Sequence, residues 1–347
     1  MDDERLPWHR DLWRQIQQRR VAGRLPHALL LSGPAGLGKG WFARRLARAL
    51  LCERPDADGE ACGQCRSCRL CRAGSHPDYS MVQPEEDYKN IENDPPAGDA
   101  GGTGAKKKKS KVIKIEQIRD LCAFLGYTAQ YGGYKIALLE PADRLNVNAA
   151  NSLLKTLEEP PGDCLLLLVT AQPARLPATV RSRCQKIEFD LPAQAVAVPW
   201  LAARAQGEVG PAALLEIAGG APLAALAQAD GERWRRRREL FERYEQVLAG
   251  QADPIRVAEG WAQGDLAENL RWLIGWHTDL IRLKMNPEPP RLSNPDLRAA
   301  LRRWADRQPP RALFERLDAV VRLHALCATT QVNASLLLEA FLGDAFC

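Results

Sequence analysis

The stretch from His27 to Cys52, HALLLSGPAGLGKGWFARRLARALLC, constrains the fold more than any other part of this 347-residue chain. An apolar run, His27 to Ser32, is followed by a glycine-rich stretch, Gly33 to Gly40, after which apolar residues recur at helical spacing. The order is strand, tight loop, helix. Through its lysine the loop matches a phosphate-binding loop: Gly33, four residues that include Gly36, then Gly38 and Lys39. The glycines let successive backbone N–H groups turn toward phosphate oxygens, the helix adds its positive end, and the lysine reaches the terminal phosphates. Gly40 departs from the pattern, because a Ser or Thr hydroxyl normally coordinates magnesium there.

The second nucleotide element should be a buried strand ending in an aspartate for magnesium, often followed by a glutamate that activates water. The matching stretch IALLEPADRL has Glu140 in the first place and Pro141 in the second. Proline has no carboxylate, so a general base of the kind that contributes about 10²- to 10⁴-fold is missing. Glu140 and the nearby Asp143 read as solvated residues at a strand end. YKIALLE (134–140) and LLLLVTA (165–171) are buried strands, and helical patterns lie at 8–20, in VIKIEQIRDLCAFLG and in LNVNAANSLLKTLEEPPG. Strands alternating with helices over residues 1–190 predict an α/β unit on a mostly parallel sheet. From Leu191 onward the periodicity is helical, with breakers at Pro199, Gly207 to Pro211, Gly219 to Pro222, Asp230 to Gly231, Gly250 to Pro254 and Asn286 to Pro290. That half divides into a small helical unit, 191–230, and a larger all-α domain, 231–347.

Five of the ten cysteines crowd into residues 52–71, as Cys52, Cys62, Cys65, Cys68 and Cys71. The opening MDDERLPW has neither the basic nor the apolar region of a secretory signal, and no apolar run approaches the roughly 18–20 residues that span a bilayer. The expectation is a soluble cytoplasmic protein, in which clustered cysteines bind metal rather than form disulfides. Zinc needs four ligands at tetrahedral positions, and C-x-x-C turns supply them. Iron–sulfur ligation is the rival, without the proline that follows the last cysteine of the bacterial ferredoxin run. Five candidates for four places leave one spare.

The charge sum, 48 basic minus 43 acidic, is +5, and Lys106, Lys107, Lys108, Lys109 and Lys111 carry five positive charges by themselves. Composition therefore forces no large nucleic-acid face, and residues 93–111 read as a flexible insert. RWRRRREL, Arg233 to Leu240, spreads its arginines around more than one helix face, as a solvated helix does. Trp261, Trp272, Trp276 and Trp304 fall at helical spacing and read as core.

Taken together, LPHALLLSGPAGLGKG, the cysteine cluster running into AGSHPDY, NSLLKTLEEPP and LPATVRSRC resemble the bacterial clamp-loader subunits of the AAA+ class. They span most of residues 6–190 in the expected order. Within that family the missing magnesium hydroxyl and catalytic acid are similar to the branch that does not hydrolyse ATP. The resemblance implies an AAA+ nucleotide-binding fold, a helical lid and a collar that joins five subunits in a ring. The implied neighbours are gamma/tau-type ATPase subunits and a delta subunit. Primed DNA and the sliding clamp would be engaged through the complex, with no membrane partner. It implies zinc on Cys52, Cys62, Cys65 and Cys68, with Cys71 extra, and a degenerate loop at which ATP or ADP binds weakly. It also implies an arginine finger at Arg183, a sensor threonine at Thr170, and a lid position, Leu223, where ATPase members place an arginine. The rival readings are an active ATPase subunit, favoured by Lys39, and a zinc-dependent DNA-binding module, favoured by the cysteines and lysines.

Overall fold

The computed structural model describes residues 5–85, 110–131, 133–205, 209–229, 231–290, 292–329 and 333–343. The lysines at 106–109 and almost all of the insert at 93–111 lie outside the described residues. The chain divides into two compact units, Met1–Leu191 and Pro192–Cys347. Among the described residues no helix is long and apolar enough to cross a membrane.

The first unit carries a five-stranded parallel sheet made of β1 (Ala28–Ser32), β2 (Tyr79–Val82), β3 (Lys135–Leu139), β4 (Cys164–Thr170) and β5 (Gln185–Glu188). Their order across the sheet is β2-β3-β4-β1-β5. β1, β3 and β4 are buried along their whole length, which is why they read as continuous apolar runs and not as alternating ones. On one face Leu30, Leu139, Leu166 and Leu168 pack with Ile118, Leu121 and Leu125 of α4 (Ile115–Leu125) and with Leu153 and Leu157 of α5 (Val147–Glu158). The alternate residues Leu29, Leu31, Ile136, Leu138, Leu165 and Leu167 are buried too. The pleat turns them the other way, and α2 (Lys39–Leu51) packs across β1, β3 and β4. Each such leucine contributes about 1.5–3 kcal/mol, so this three-strand core outweighs any one polar contact in the unit. β2 and β5 did not stand out in the sequence. Each is four residues long and only one residue of each is fully buried, too short a run to show a period.

A buried polar network fixes the β2 edge. The Asp78 carboxylate is fully buried and accepts from the backbone N–H groups of Gln130 and Tyr131, both at 2.9 Å, and from Lys135 Nζ at 3.2 Å. Burial alone would raise its pKa, but those two N–H groups and the ammonium outweigh it and hold the group below its ordinary value. Lys135 also lies over the Phe124 ring, 4.5 Å from its centroid. One residue earlier, the Asp78 N–H donates to His76 Nδ1 at 3.0 Å, so His76 carries its proton on Nε2. That proton goes to Ser67 Oγ at 2.8 Å, and Ser67 donates onward to the Leu51 carbonyl at 2.5 Å. Ser67 belongs to α3 (Arg66–Arg72), so the chain of bonds ties α3 and the end of α2 to the first residue before β2.

The second unit is helical: α7 (Gln194–Ala202), α8 (Pro211–Ile217), α9 (Pro222–Gln228), α10 (Gly231–Leu248), α11 (Pro254–Ala262), α12 (Leu266–Met285), α13 (Arg298–Arg307), α14 (Pro310–Thr329) and α15 (Ala334–Gly343). Pro199 lies inside α7 and does not break it; the N–H bond it lacks is offset by burial of Ala197, Trp200 and Leu201 around it. Trp261, Trp272, Trp276 and Trp304 are all buried in one core with Phe241 and Tyr244. Phe241 stacks on Trp304 at 5.0 Å and meets Trp276 edge-on at 5.1 Å. The arginine run of α10 is solvated only in part: Arg235 and Arg238 are exposed, and the other three turn toward partners. Arg237 is buried and paired with Asp296 and Asn294, Arg233 pairs with Glu268, and Arg236 donates to Asn269. These residues hold α10 to α12 and to the turn at Pro295–Leu297.

Asp78→Ala leaves the Lys135 ammonium buried without its counter-charge and two N–H groups without acceptors. The expected loss is about 3–5 kcal/mol from the first unit. Hydrogen exchange of the β2 and β3 amides should quicken accordingly while the α12 amides keep their protection; unchanged β3 protection would refute the role given to this carboxylate.

Candidate functional site

The interior place of β1, between β4 and β5, decides where the site lies. Its neighbours are β4 and β5, and the register pairs Ser32 with Thr170 on one side and with Glu188 on the other. β3 ends beside them, with Leu139 opposite Leu168. The glycine loop, Glu140 and Thr170 therefore leave the sheet at one edge, beyond the carboxyl ends of the strands, where open α/β sheets bind ligands.

Gly33 opens the loop with a φ of 144°, and a side chain there would run into the Phe189 carbonyl next to β5. Gly36 and Gly38 both take φ 81°, and Gly38 is the left-handed cap from which α2 starts. Lys39 is buried, and its Nζ donates to the carbonyls of Gly33 at 2.8 Å and Pro34 at 2.6 Å. Burial pushes its pKa down to about 8, against the pull of Glu140 and Asp143. From the far side, Trp8 Nε1 and His9 Nε2 both bond the Leu37 carbonyl, at 2.9 and 2.8 Å. A carbonyl only accepts, so His9 is the donor. Burial pushes His9 down to about 4, and its ring is edge-on to Phe42 and Phe189.

Glu140 and Asp143 are not loose strand-end acids. Glu140 Oε2 accepts from Arg44 Nη1 at 2.5 Å, and its carboxylate lies against Gly40, where a Cβ would fall inside it. Asp143 accepts from Thr170 Oγ1 at 2.5 Å, and Thr170 in turn accepts from the Gln172 N–H. Both acids are occupied by partners on neighbouring elements, which is what a strand end facing a loop and a helix provides. Arg183 follows α6 (Ala178–Arg181), is partly exposed, and donates to the Thr179 carbonyl and to Glu158 at the end of α5. Leu223 lies in the first turn of α9. Arg44, Trp8 and His9 escaped the sequence reading. For Arg44 a signal existed: it is four residues after Gly40, so it shares that helix face and can hold the Glu140 carboxylate that fills the space beside position 40.

A second cluster lies where α2 ends. The sulfurs of Cys52, Cys62, Cys65 and Cys68 all lie within 4.8 Å of one another, with Cys52 to Cys65 at 3.9 Å and Cys62 to Cys68 at 4.0 Å. Four thiolates around zinc at about 2.3 Å stand about 3.8 Å apart, so the donor set fits such a metal. Backbone N–H groups point at three of the sulfurs: Cys62 to Cys52, Cys65 to Cys62, and Cys68 to Cys65. Those of Gln64 and Cys65 pull Cys62 down to about 6. Cys71 is outside the group, and burial pushes its thiol up to about 11.

With this geometry the comparisons with known proteins can be read. A family model described as DNA polymerase III, delta subunit, matches residues 8–193, and one described as DNA polymerase III, delta subunit, C terminal, matches residues 231–345. DNA polymerase III subunit delta' of Pseudomonas aeruginosa is 36% identical over 340 residues, 97% of this chain and 95% of that protein. That of Escherichia coli K12 is 31% identical over 339 residues, 97% of this chain and 93% of that protein. The chain belongs to the delta prime family of DNA polymerase III clamp-loader subunits. DNA polymerase III subunit tau of Escherichia coli K12 is 35% identical over 171 residues, 49% of this chain but 22% of that protein. The match to tau thus extends over about half of this chain.

Metal analysis should find Cys71→Ser with its full content, whereas Cys62→Ser and Cys52→Ser lose the ion or fold poorly. Loss in Cys71→Ser with retention in Cys52→Ser would reassign the ligands. A second expectation concerns pH. His9 is held neutral in the folded chain and binds its proton readily only when unfolded, so stability is full above about pH 6.5 and falls as pH drops toward 4. His9→Gln keeps a donor for the Leu37 carbonyl but has no proton to gain. Thermal unfolding of this variant should lose part of the decline between pH 6.5 and 4; an unchanged slope would exclude His9 as its source.

Proposed function

We propose that this chain is the non-hydrolysing delta prime subunit of a clamp loader, and that it lends Arg183 to ATP held by a neighbouring subunit. The observation that carries the reading is the occupied metal position. Gly40 offers no hydroxyl, Pro141 offers no carboxylate, and Glu140 is paired with Arg44 over Gly40 itself. Magnesium and the attacking water are both left without ligands from this loop, while Lys39 and the loop N–H groups allow weak binding of ATP or ADP. Leu223, at the lid position given to an arginine in ATPase members, agrees with that reading.

In this reading residues 191–230 are the lid and 231–347 the collar that joins a five-membered ring with gamma/tau-type ATPase subunits and delta. The ring loads the sliding clamp onto primed DNA during replication in the cytoplasm. The four cysteines hold a structural zinc. The chain has no activity of its own and works as a part of the DNA polymerase III holoenzyme. Arg183 suits its role because its charge is permanent and its donor fork is planar. Its present partner, Glu158, is about half exposed, and such pairs contribute only about 0–1 kcal/mol, so a phosphate oxygen can replace it readily.

An arginine finger contributes about 10³- to 10⁵-fold in phosphoryl transfer by placing fixed positive charge where the transition state gathers negative charge. Arg183→Ala should fold, assemble and bind its partners, yet lower the DNA-stimulated ATPase and the clamp-loading rate of the reconstituted complex, with Arg183→Lys a poor rescue. The loss is partial because the residue serves one ATP site of several. An unchanged loading rate in an intact complex would leave the subunit a structural role only.

A further inference from the structure

Arg183 stands in a turn whose backbone is fixed on both sides. Its N–H donates to the Val180 carbonyl at 3.2 Å, and Val180 before it and Cys184 directly after it are buried in the core that holds Leu153 and Leu157 of α5. Its partner has an equally fixed base. Glu158 is the last residue of α5, and the carbonyl of the buried Leu157 beside it accepts from His27 Nε2 at 3.0 Å, just before β1. Only side chains bridge the two bases. Arg183 Nη1 donates to the Thr179 carbonyl at 2.9 Å, and Nη2 meets Glu158 Oε1 at 2.5 Å, so both arms of the fork that grips a phosphate are engaged. For stability Glu158 is poorly placed: a helix favours cations and not acids in its last turn, and an ion pair this exposed adds little. Its effect falls on Arg183. A guanidinium in contact with a carboxylate presents a dipole and not a net charge to a distant phosphate, and that attraction fades faster with distance.

We propose that Glu158 is a positioning residue that latches Arg183, so that the finger acts only when a neighbouring subunit's phosphate comes within contact distance and takes the place of the carboxylate. A loosely closed ring leaves the two charges paired. A tightly closed one exchanges the carboxylate for a phosphate oxygen while the backbone on either side of Arg183 stays where it is. The latch is light, as exposed pairs are, so it delays the finger without disabling it. The inference rests on the reading of Arg183 as an arginine finger.

The test is the ATPase of the reconstituted clamp loader, followed without and with primed DNA. Glu158→Gln keeps the side-chain length and removes the charge. It should raise the DNA-independent rate about two- to fivefold, the factor that corresponds to an exposed ion pair, and raise the DNA-stimulated rate less, so that the ratio of the two falls. Glu159→Gln removes the exposed neighbouring acid and should leave that ratio unchanged. In an Arg183→Ala background Glu158→Gln should have no effect, an outcome that a merely structural role for Glu158 does not require. An unchanged or lowered DNA-independent rate in Glu158→Gln, an equal rise in Glu159→Gln, or a rise that survives in Arg183→Ala would each overturn the latch. If Arg183→Ala slows loading while Glu158→Gln changes nothing, the latch alone fails; if Arg183→Ala leaves loading unchanged, the finger reading fails with it.

Discussion

Strand β1 lies between β4 and β5 with all five residues buried, and every group of the candidate site depends on that placement. A strand so enclosed cannot slip by one residue without turning Leu29 and Leu31 to the face of Leu30. The register Ser32 to Thr170 is therefore fixed by packing, and the loop that leaves Ser32 must cross the ends of β3 and β4. Gly33 lets the chain pass the Phe189 carbonyl, α2 begins at the left-handed Gly38, and Lys39 is delivered over the strand ends as a consequence.

What the sheet delivers is a site whose charges are already paired among themselves. Lys39 bonds its own loop, Glu140 bonds Arg44, Asp143 bonds Thr170, and Arg183 bonds Glu158. The pairs differ in how firmly they are held. Arg183 and Glu158 are 36% and 49% exposed and gain little from each other in water, whereas Arg44 and Glu140 are about a quarter exposed and pressed against Gly40. The more exposed pair is the one that can trade its acid for a phosphate, and the more buried one keeps its geometry.

The sequence displayed whatever depended on a run or a spacing. Fully buried strands appear as apolar runs, the loop as glycines around a lysine, and the cysteine quartet as C-x-x-C turns beside Cys52. Contacts between segments distant in sequence left no such trace. Arg44 meets Glu140 across 96 residues, and Asp78 meets Lys135 across 57, pairs that no local period encodes. The arginines of α10 misled for a related reason. A run of like charge resembles a solvated face, and only the positions of Asp296, Asn294 and Glu268 on other elements turn Arg237 and Arg233 inward.

The cysteine module is linked to the β2 edge by hydrogen bonds. β2 is a four-residue edge strand with three residues only half-buried, the kind of edge that is left open to unwanted pairing unless something lies beside it. It pairs with β3 alone, and the residue before it, Asp78, is pinned on one side by Lys135 and joined on the other, through His76 and Ser67, to α3 and the Leu51 carbonyl. α3 begins at Cys65, whose sulfur accepts from the Cys68 N–H, and Cys52 directly follows Leu51. An ion held by the four sulfurs would therefore tie together Leu51 and Ser67, the part of this bond chain remote from β2. The quartet lies where α2 ends, apart from the phosphate loop at the opposite, N-terminal end of the same helix.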